Sequence, residues 1–145
     1  MLSHIYSCGL SGIDGFSVCV ETDISNGLPA FDIVGLPDAA VEEAKERIRS
    51  AIKNTGFRFP AKHIVINLAP ASKRKEGSGY DLPMALSIIC ATEQIYAPDL
   101  SKCTFFVELS LDGTVQPING ILPMVISAYK SGFTDMFVPT ENADE

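Results

Sequence analysis

The stretch Asn67–Ala85, NLAPASKRKEGSGYDLPMA, read with Glu108–Gly120, ELSLDGTVQPING, decides the fold. The first stretch carries the end of a buried-type strand, HIVINL at His63–Leu68, into a basic loop containing Gly77 and Gly79 and then into a helix. Asp81 reads as the N-cap of that helix, which should run from Leu82 to about Thr92 with Pro83 in its first turn. Met84, Ala85, Leu86, Ile88, Ile89 and Ala91 make it apolar nearly all round, so it should be the central, buried helix. The second stretch reads as a hairpin, Thr104–Ser110 with Thr114–Ile118, turning about Asp112-Gly113.

Working outward, Leu2–Cys8 and Phe16–Asp23 read as strands separated by a turn over Gly9–Gly15. Phe31–Val34 is a third short strand after the Asn26-Gly27 turn. Gly35-Leu36-Pro37 then breaks the sheet and leads into the clearest helix. There Val41, Ala44, Ile48 and Ile52 recur at three- and four-residue steps and define a face to pack on the sheet. Its acids, Asp38, Glu42 and Glu43, fall early and its cations, Arg47, Arg49 and Lys53, fall late, as the helix dipole favours; Gly56 is the stop. A last helix opens at Asn119 or Gly120, runs to Lys130 and ends near Gly132, before a final strand at Phe133–Val138. PTENADE at the end shows no obvious element, which suggests an excised domain. The expectation is one α+β domain over residues 1–145, a mixed sheet with helices.

Composition excludes several classes. With 46% apolar and 20% charged residues the chain reads as globular. It has neither a membrane-length apolar run nor a signal sequence, so a cytoplasmic location is expected, with no membrane partner. Cys8, Cys19, Cys90 and Cys103 lack zinc-site spacing, and His4 and His63 are far apart, so no metal site is expected. Cys19 and Cys90 read as small buried hydrophobes. Net charge is −7, yet Lys45–Lys75 holds nine basic residues and one acid, leaving the rest at −15. That segment is either a solvated face or a basic patch turned towards DNA or another subunit, with Lys73, Arg74, Lys75, Arg47, Arg49 and Lys53 as candidate contacts. Of the consecutive cations Lys73, Arg74 and Lys75, at least two must reach solvent or an acidic partner.

Chemistry is harder to place. Gly77-Ser78-Gly79 lies between a strand and a helix, where an anion could bind, but the lysines precede the glycines and no G-x-x-x-x-G-K-[ST] pattern occurs. Glu76 and Asp81 flank the loop, and Asp81 is better used as a cap. The two opening stretches resemble the segments that carry the serine and lysine of Lon-type proteases. A Ser–Lys dyad needs the serine at a strand-to-helix corner and a desolvated lysine to take its proton. Matching Lys75-Glu76-Gly77 to the K-D-G-P-S-A-G-like loop puts Gly79 at the serine's position. Matching Pro117–Ile121 to the P-I-G-G-L-like segment puts Leu122 at the lysine's. Neither residue can do that work. Ser78 is one residue out, and no lysine lies between Lys102 and Lys130. Gly79→Ser with Leu122→Lys is expected to put a dyad back at those positions, with little activity because the rest of the site must also be built.

FDIVGLPDAAVEEAKERIRSAI, NTGFRFP, INLAPASKRKEGSGYDLPMAL, ELSLDGTVQPINGILPM and VPTENA together resemble the N-terminal domain of the YifB/ComM family of magnesium-chelatase-like AAA+ ATPases. The resemblance implies a Lon-proteolytic-domain-like, ribosomal protein S-five domain-2-like fold. It implies an AAA+ module and a C-terminal magnesium-chelatase-type domain downstream, with ATP and Mg bound there and no cofactor in this chain. It further implies a non-catalytic assembly or DNA-positioning domain of a homo-hexameric motor serving DNA recombination, natural transformation and branch migration. The alternative is a domain that regulates such an ATPase or binds a partner protein.

Overall fold

The computed structural model describes residues 1–96 and 99–144. Ten-residue β1 (Leu2–Ser11) and twelve-residue β2 (Asp14–Ser25) form a long antiparallel hairpin that is the backbone of the sheet. The turn between them is only residues 12–13, with Gly12 at φ +66°, so the glycines at 9 and 15 lie inside strands. They are needed there as flat spots. A Cβ on Gly9 would press on Phe16 and Tyr80, and one on Gly15 on Ser127. β3 (Ala30–Val34) pairs parallel with β4 (His63–Ala69), and β4 pairs antiparallel with β2. β5 (Cys103–Phe105) adds parallel to β1, and β8 (Asp135–Phe137) parallel to β5, giving the order β3-β4-β2-β1-β5-β8. The expected single strand over Thr104–Ser110 is split: β5 belongs to the large sheet, and β6 (Glu108–Leu109) forms a separate hairpin with β7 (Val115–Gln116). Leu109 pairs with Val115, so the hairpin loop is residues 110–114 and Asp112-Gly113 sits within it.

α1 (Ala39–Asn54) starts on Asp38, whose carboxylate accepts from Val41 N at 2.8 Å, and buries Val41, Ala44, Ile48, Ala51 and Ile52. Its nearest elements are α2 and β6, and through α2 it joins the core below the sheet. α2 (Asp81–Ala91) is the buried central helix. Its Ser87 hydroxyl meets Thr22, and Ser3 donates to its Ser87 carbonyl, which fixes it on the sheet face bearing Val18, Val20 and Ile5. α3 (Ile121–Lys130) covers part of the opposite face, where Gly15 and Leu10 meet it. The chain end is also ordered: Thr140–Asn142 makes a 3-10 turn. Cys8 is the fully buried cysteine and burial pushes its thiol up to about 11, whereas Cys19 and Cys90 are only half-buried. Among the described residues no helix is long and apolar enough to cross a membrane.

Ile48 is fully buried, and Ile48→Asp would place an unpaired carboxylate in the core beneath the apolar face of α1. Urea unfolding should show a loss of at least about 3 kcal/mol, or no cooperative transition. A melting temperature within a degree or two of wild type would contradict the placement of this face.

Candidate functional site

Two loops define the site. After β4 the chain passes through the cis Ala69-Pro70 peptide into the basic loop and reaches α2 at Tyr80. The other loop, Gly35–Asp38, links β3 to α1. Lys75 N donates to Leu36 O and Asp38 N to Lys75 O, both at 3.0 Å, while Gly77 N reaches Asp38 Oδ2 at 3.3 Å. Gly35 is glycine because its φ is +104° and a Cβ would strike the Leu68 carbonyl. The lock is Lys75. Its side chain is 0% exposed, and its ammonium donates to Gly35 O at 2.8 Å and to Pro70 O. Burial pushes its pKa below the usual lysine value.

A second tie lies under α2. Asp81 is 0% exposed and does not cap the helix, whose N-cap is Tyr80. Its carboxylate accepts a fork from Arg47, Nε at 2.7 Å and Nη2 at 3.0 Å, and a third bond from Leu109 N at 3.0 Å. Desolvation pushes the Asp81 carboxyl up against the pull of those donors, and Asp81 raises the Arg47 guanidinium. Arg47 thus joins α1 to α2 and β6. A third tie comes from the chain end. The Asn142 amide donates to Ile118 O at 2.6 Å and accepts from Ile118 N at 3.0 Å, fixing the segment after β7.

Between these ties lies a cleft of about 380 Å³, lined by Gly77, Ser78, Gly79 and Glu76 on one side and Pro117, Ile118 and Asn119 on the other, with Phe106, Met124, Leu10 and Glu108 below. The Ser78 hydroxyl is hydrogen-bonded to the Glu108 carboxylate. Gly79 lies in the cleft, but a Cβ there would overlap the Phe106 ring, which packs edge-on against buried Tyr80 at 5.4 Å. Leu122 is elsewhere: it is 49% exposed and lines a different depression with Ile13, Pro123 and Ile126. The serine and lysine substitutions expected to rebuild a dyad would therefore clash at one end and miss the cleft at the other. Glu76 and Glu108 line the cleft beside the loop, and Lys75 turns inward, away from it. Among the described residues no group of three or more His, Cys, Asp or Glu could hold a metal ion.

The candidate surface cations divide. Lys75 is committed inside the domain, and Arg47, its side chain 23% exposed, is turned to Asp81; of the three consecutive cations one is buried and two reach solvent, within the expectation of at least two. Lys73 and Arg74 are exposed, Lys73 Nζ lying 4.7 Å from the Phe16 ring centroid and Arg74 3.4 Å from Glu76. Arg49 pairs with Glu46 at 2.9 Å and lies over Phe59, Lys45 pairs with Glu42, and Lys53 is exposed. Part of the stretch's charge is answered by acids of the same domain, while Lys53, Arg58, Lys62, Lys73 and Arg74 stay exposed. Neither the Arg47–Asp81 fork nor the Asn142 clamp was read from the sequence. Arg47 offered only its place near the turn of α1 that faces the core, one residue before Ile48.

A family model described as subunit ChlI of Mg-chelatase matches residues 20–142. The chain is 40% identical over 144 residues to the competence protein ComM of Haemophilus influenzae, covering 99% of this chain and 28% of that protein. It is 42% identical to the protein YifB of Escherichia coli over the same share of each. It is 28% identical over 135 residues to Lon protease 2 of Herpetosiphon aurantiacus, 88% of this chain and 16% of that protein. The chain thus spans less than a third of the length of these relatives.

Two measurements check the ties. Arg47→Met leaves Asp81 buried without its partner and should cost about 3–5 kcal/mol, part of which Arg47→Met with Asp81→Leu recovers. A cost under 1 kcal/mol, on the order of an exposed pair, would show that the fork carries no weight. For Lys75, the folded pKa lies below the ordinary 10.5, so between the two the unfolded chain holds more protons and stability rises with pH. The difference in unfolding free energy between wild type and Lys75→Met should therefore climb as pH approaches 10.5. A flat or falling difference contradicts a buried ammonium.

Proposed function

The chain belongs to the ChlI family of Mg-chelatase-type subunits, and from that premise we propose that this domain assembles or positions a larger ComM-type ATPase without chemistry of its own. The observation that carries the reading is the state of the cleft: Gly79 offers no nucleophile, Phe106 fills the space beside it, and Leu122 faces away. A domain that keeps three internal ties around a cleft with no Ser–Lys pair is built to hold shape. The ATP-binding and Mg-binding residues belong to an AAA+ module after residue 145, followed by a magnesium-chelatase-type domain, and the working form is a homo-hexamer in the cytoplasm. The name of the ComM relative points to competence, and a role in DNA recombination is part of the same proposal.

Of assembly and DNA positioning, assembly has the better support. The carbonyls and carboxylates that take up Lys75, Arg47, Lys45 and Arg49 are this domain's own, which withdraws these four cations from phosphates. Lys73 and Arg74, with the exposed Lys53, Arg58 and Lys62, are the groups of the basic segment left to meet a neighbouring subunit, the domain's own AAA+ module or DNA. A purely regulatory, partner-binding domain is the second reading, and the open cleft favours it.

The isolated chain should hydrolyse neither peptides nor ATP. Activity in a clean preparation that Ser78→Ala abolishes would overturn the proposal. In the full-length protein, Lys73→Glu with Arg74→Glu should weaken the ring, seen by sedimentation velocity. An intact ring whose salt-sensitive DNA binding is lost would instead assign the loop to DNA. No change in either would remove the loop from both roles.

A further inference from the structure

The cleft invites a reading beyond the missing dyad. Every tie described above supports its walls. Lys75 and Asp38 set the Gly77–Gly79 wall, the Asp81–Leu109 bond sets β6 and with it Glu108, and Asn142 sets the Pro117–Asn119 wall. Polar side chains from both ends of the chain thus converge on a cavity with no catalytic pair to position. A cavity this well supported is a binding site in a rigid frame.

Its charges say what it takes. Arg74 faces Glu76 on the rim, and the Arg47 fork is answered by Asp81. That leaves Glu108, half-buried, with its hydrogen bond coming from the neutral Ser78 hydroxyl. Arg47 is near enough to feel Glu108, but its Nε and Nη2 are turned to Asp81. Among the described residues no lysine or arginine lines the cavity. Beside the carboxylate stand the Asn119 amide and apolar walls from Leu10, Phe106, Pro117, Ile118 and Met124. A carboxylate beside apolar side chains, in a lining that is otherwise polar, suits a cation carried on an apolar stem, which lays its methylenes on those side chains and presents its head. At about 380 Å³ the cavity is at the small end of ligand sites, which run to roughly 300–1,000 Å³.

We propose that this cleft binds an arginine side chain presented by a protein segment, with Glu108 as the carboxylate that receives the guanidinium. The proposal rests on the non-catalytic reading of the cleft and deepens it: the space that holds no dyad becomes a recognition pocket. Ser78 orients Glu108 and is not a nucleophile, and an incoming guanidinium competes with Arg74 only at the outer Glu76.

The test uses the 145-residue chain, isotope-labelled, and follows backbone amide shifts while the blocked peptide acetyl-Gly-Arg-Leu-amide is added. Shifts should concentrate at Ser78, Gly79, Glu108 and Asn119. They should weaken on the order of tenfold or more when citrulline replaces arginine, and equally in Glu108→Gln, whose unperturbed spectrum elsewhere shows that it is folded. Equal binding of the arginine and citrulline peptides would overturn the proposal by making the cleft a merely apolar groove. Shifts spread over the acidic sheet face at Glu21, Asp23 and Asp32 would overturn it as non-specific charge attraction, and no shift at millimolar peptide would overturn it outright. None of these failures touches the non-catalytic reading, which stands or falls on the hydrolysis assays.

Discussion

A lysine ammonium placed where water does not reach it is the constraint on which this site depends. Burying an unpaired charge is costly, so the chain must bring polar groups to it. Lys75 is answered by carbonyls from two segments far apart in sequence, Gly35 before α1 and Pro70 after β4. Both carbonyls must point inward, which fixes the paths of both loops. Gly35 can adopt the required left-handed backbone and lie against Leu68 because it has no Cβ. Asp38 then serves twice, one oxygen capping α1 and the other taking Gly77 N. The strand-to-helix loop that a protease would use to aim a nucleophile is held here from behind.

The cleft in front of that loop follows from the same geometry. With the loop pulled onto the β3–α1 turn, Gly79 comes against Phe106, and the ring takes the volume a serine side chain would need. α3 begins with Ile121 and Met124 turned into the core, which leaves Leu122 outward on another surface. The departure from a protease arrangement is therefore more than two substitutions. Phe106 stands beside the first position and the second lies on another surface, so serine and lysine at Gly79 and Leu122 would not meet in the cleft.

Much of this was legible in the sequence, and the parts that were not share a cause. Local patterns located β2, β3, β4, α1, α2 and α3 to within a few residues: alternation in β2, a three- and four-residue apolar step in α1, continuous apolar runs in β4 and α2, and turn or stop residues around β3 and α3. Local capping rules failed where a longer-range partner outbid them: Asp81 sits at a helix start like a cap, but Arg47 and Leu109 hold it instead. In the run Lys73-Arg74-Lys75 the sequence requires at least two cations to reach solvent, but nothing local says which of the three has carbonyls waiting. Asn142 lay in a tail without periodic pattern, and its clamp on Ile118 joins positions that only the fold brings together. The glycines at 9 and 15 looked like turn residues, though they mark close approaches inside the long hairpin.

The Lys75 ammonium holds the loop against the β3–α1 turn and so shapes the cleft. Amide hydrogen exchange of wild type and Lys75→Met measures this hold. In the variant the amides of residues 75, 77 and 38, which bond across the two loops, should lose protection by orders of magnitude. The β2–β4 pairs from Cys19 to Ser25 should stay protected. Unchanged protection at 75 and 38 in the variant would contradict it, and would mean that the loop keeps its place without the buried charge.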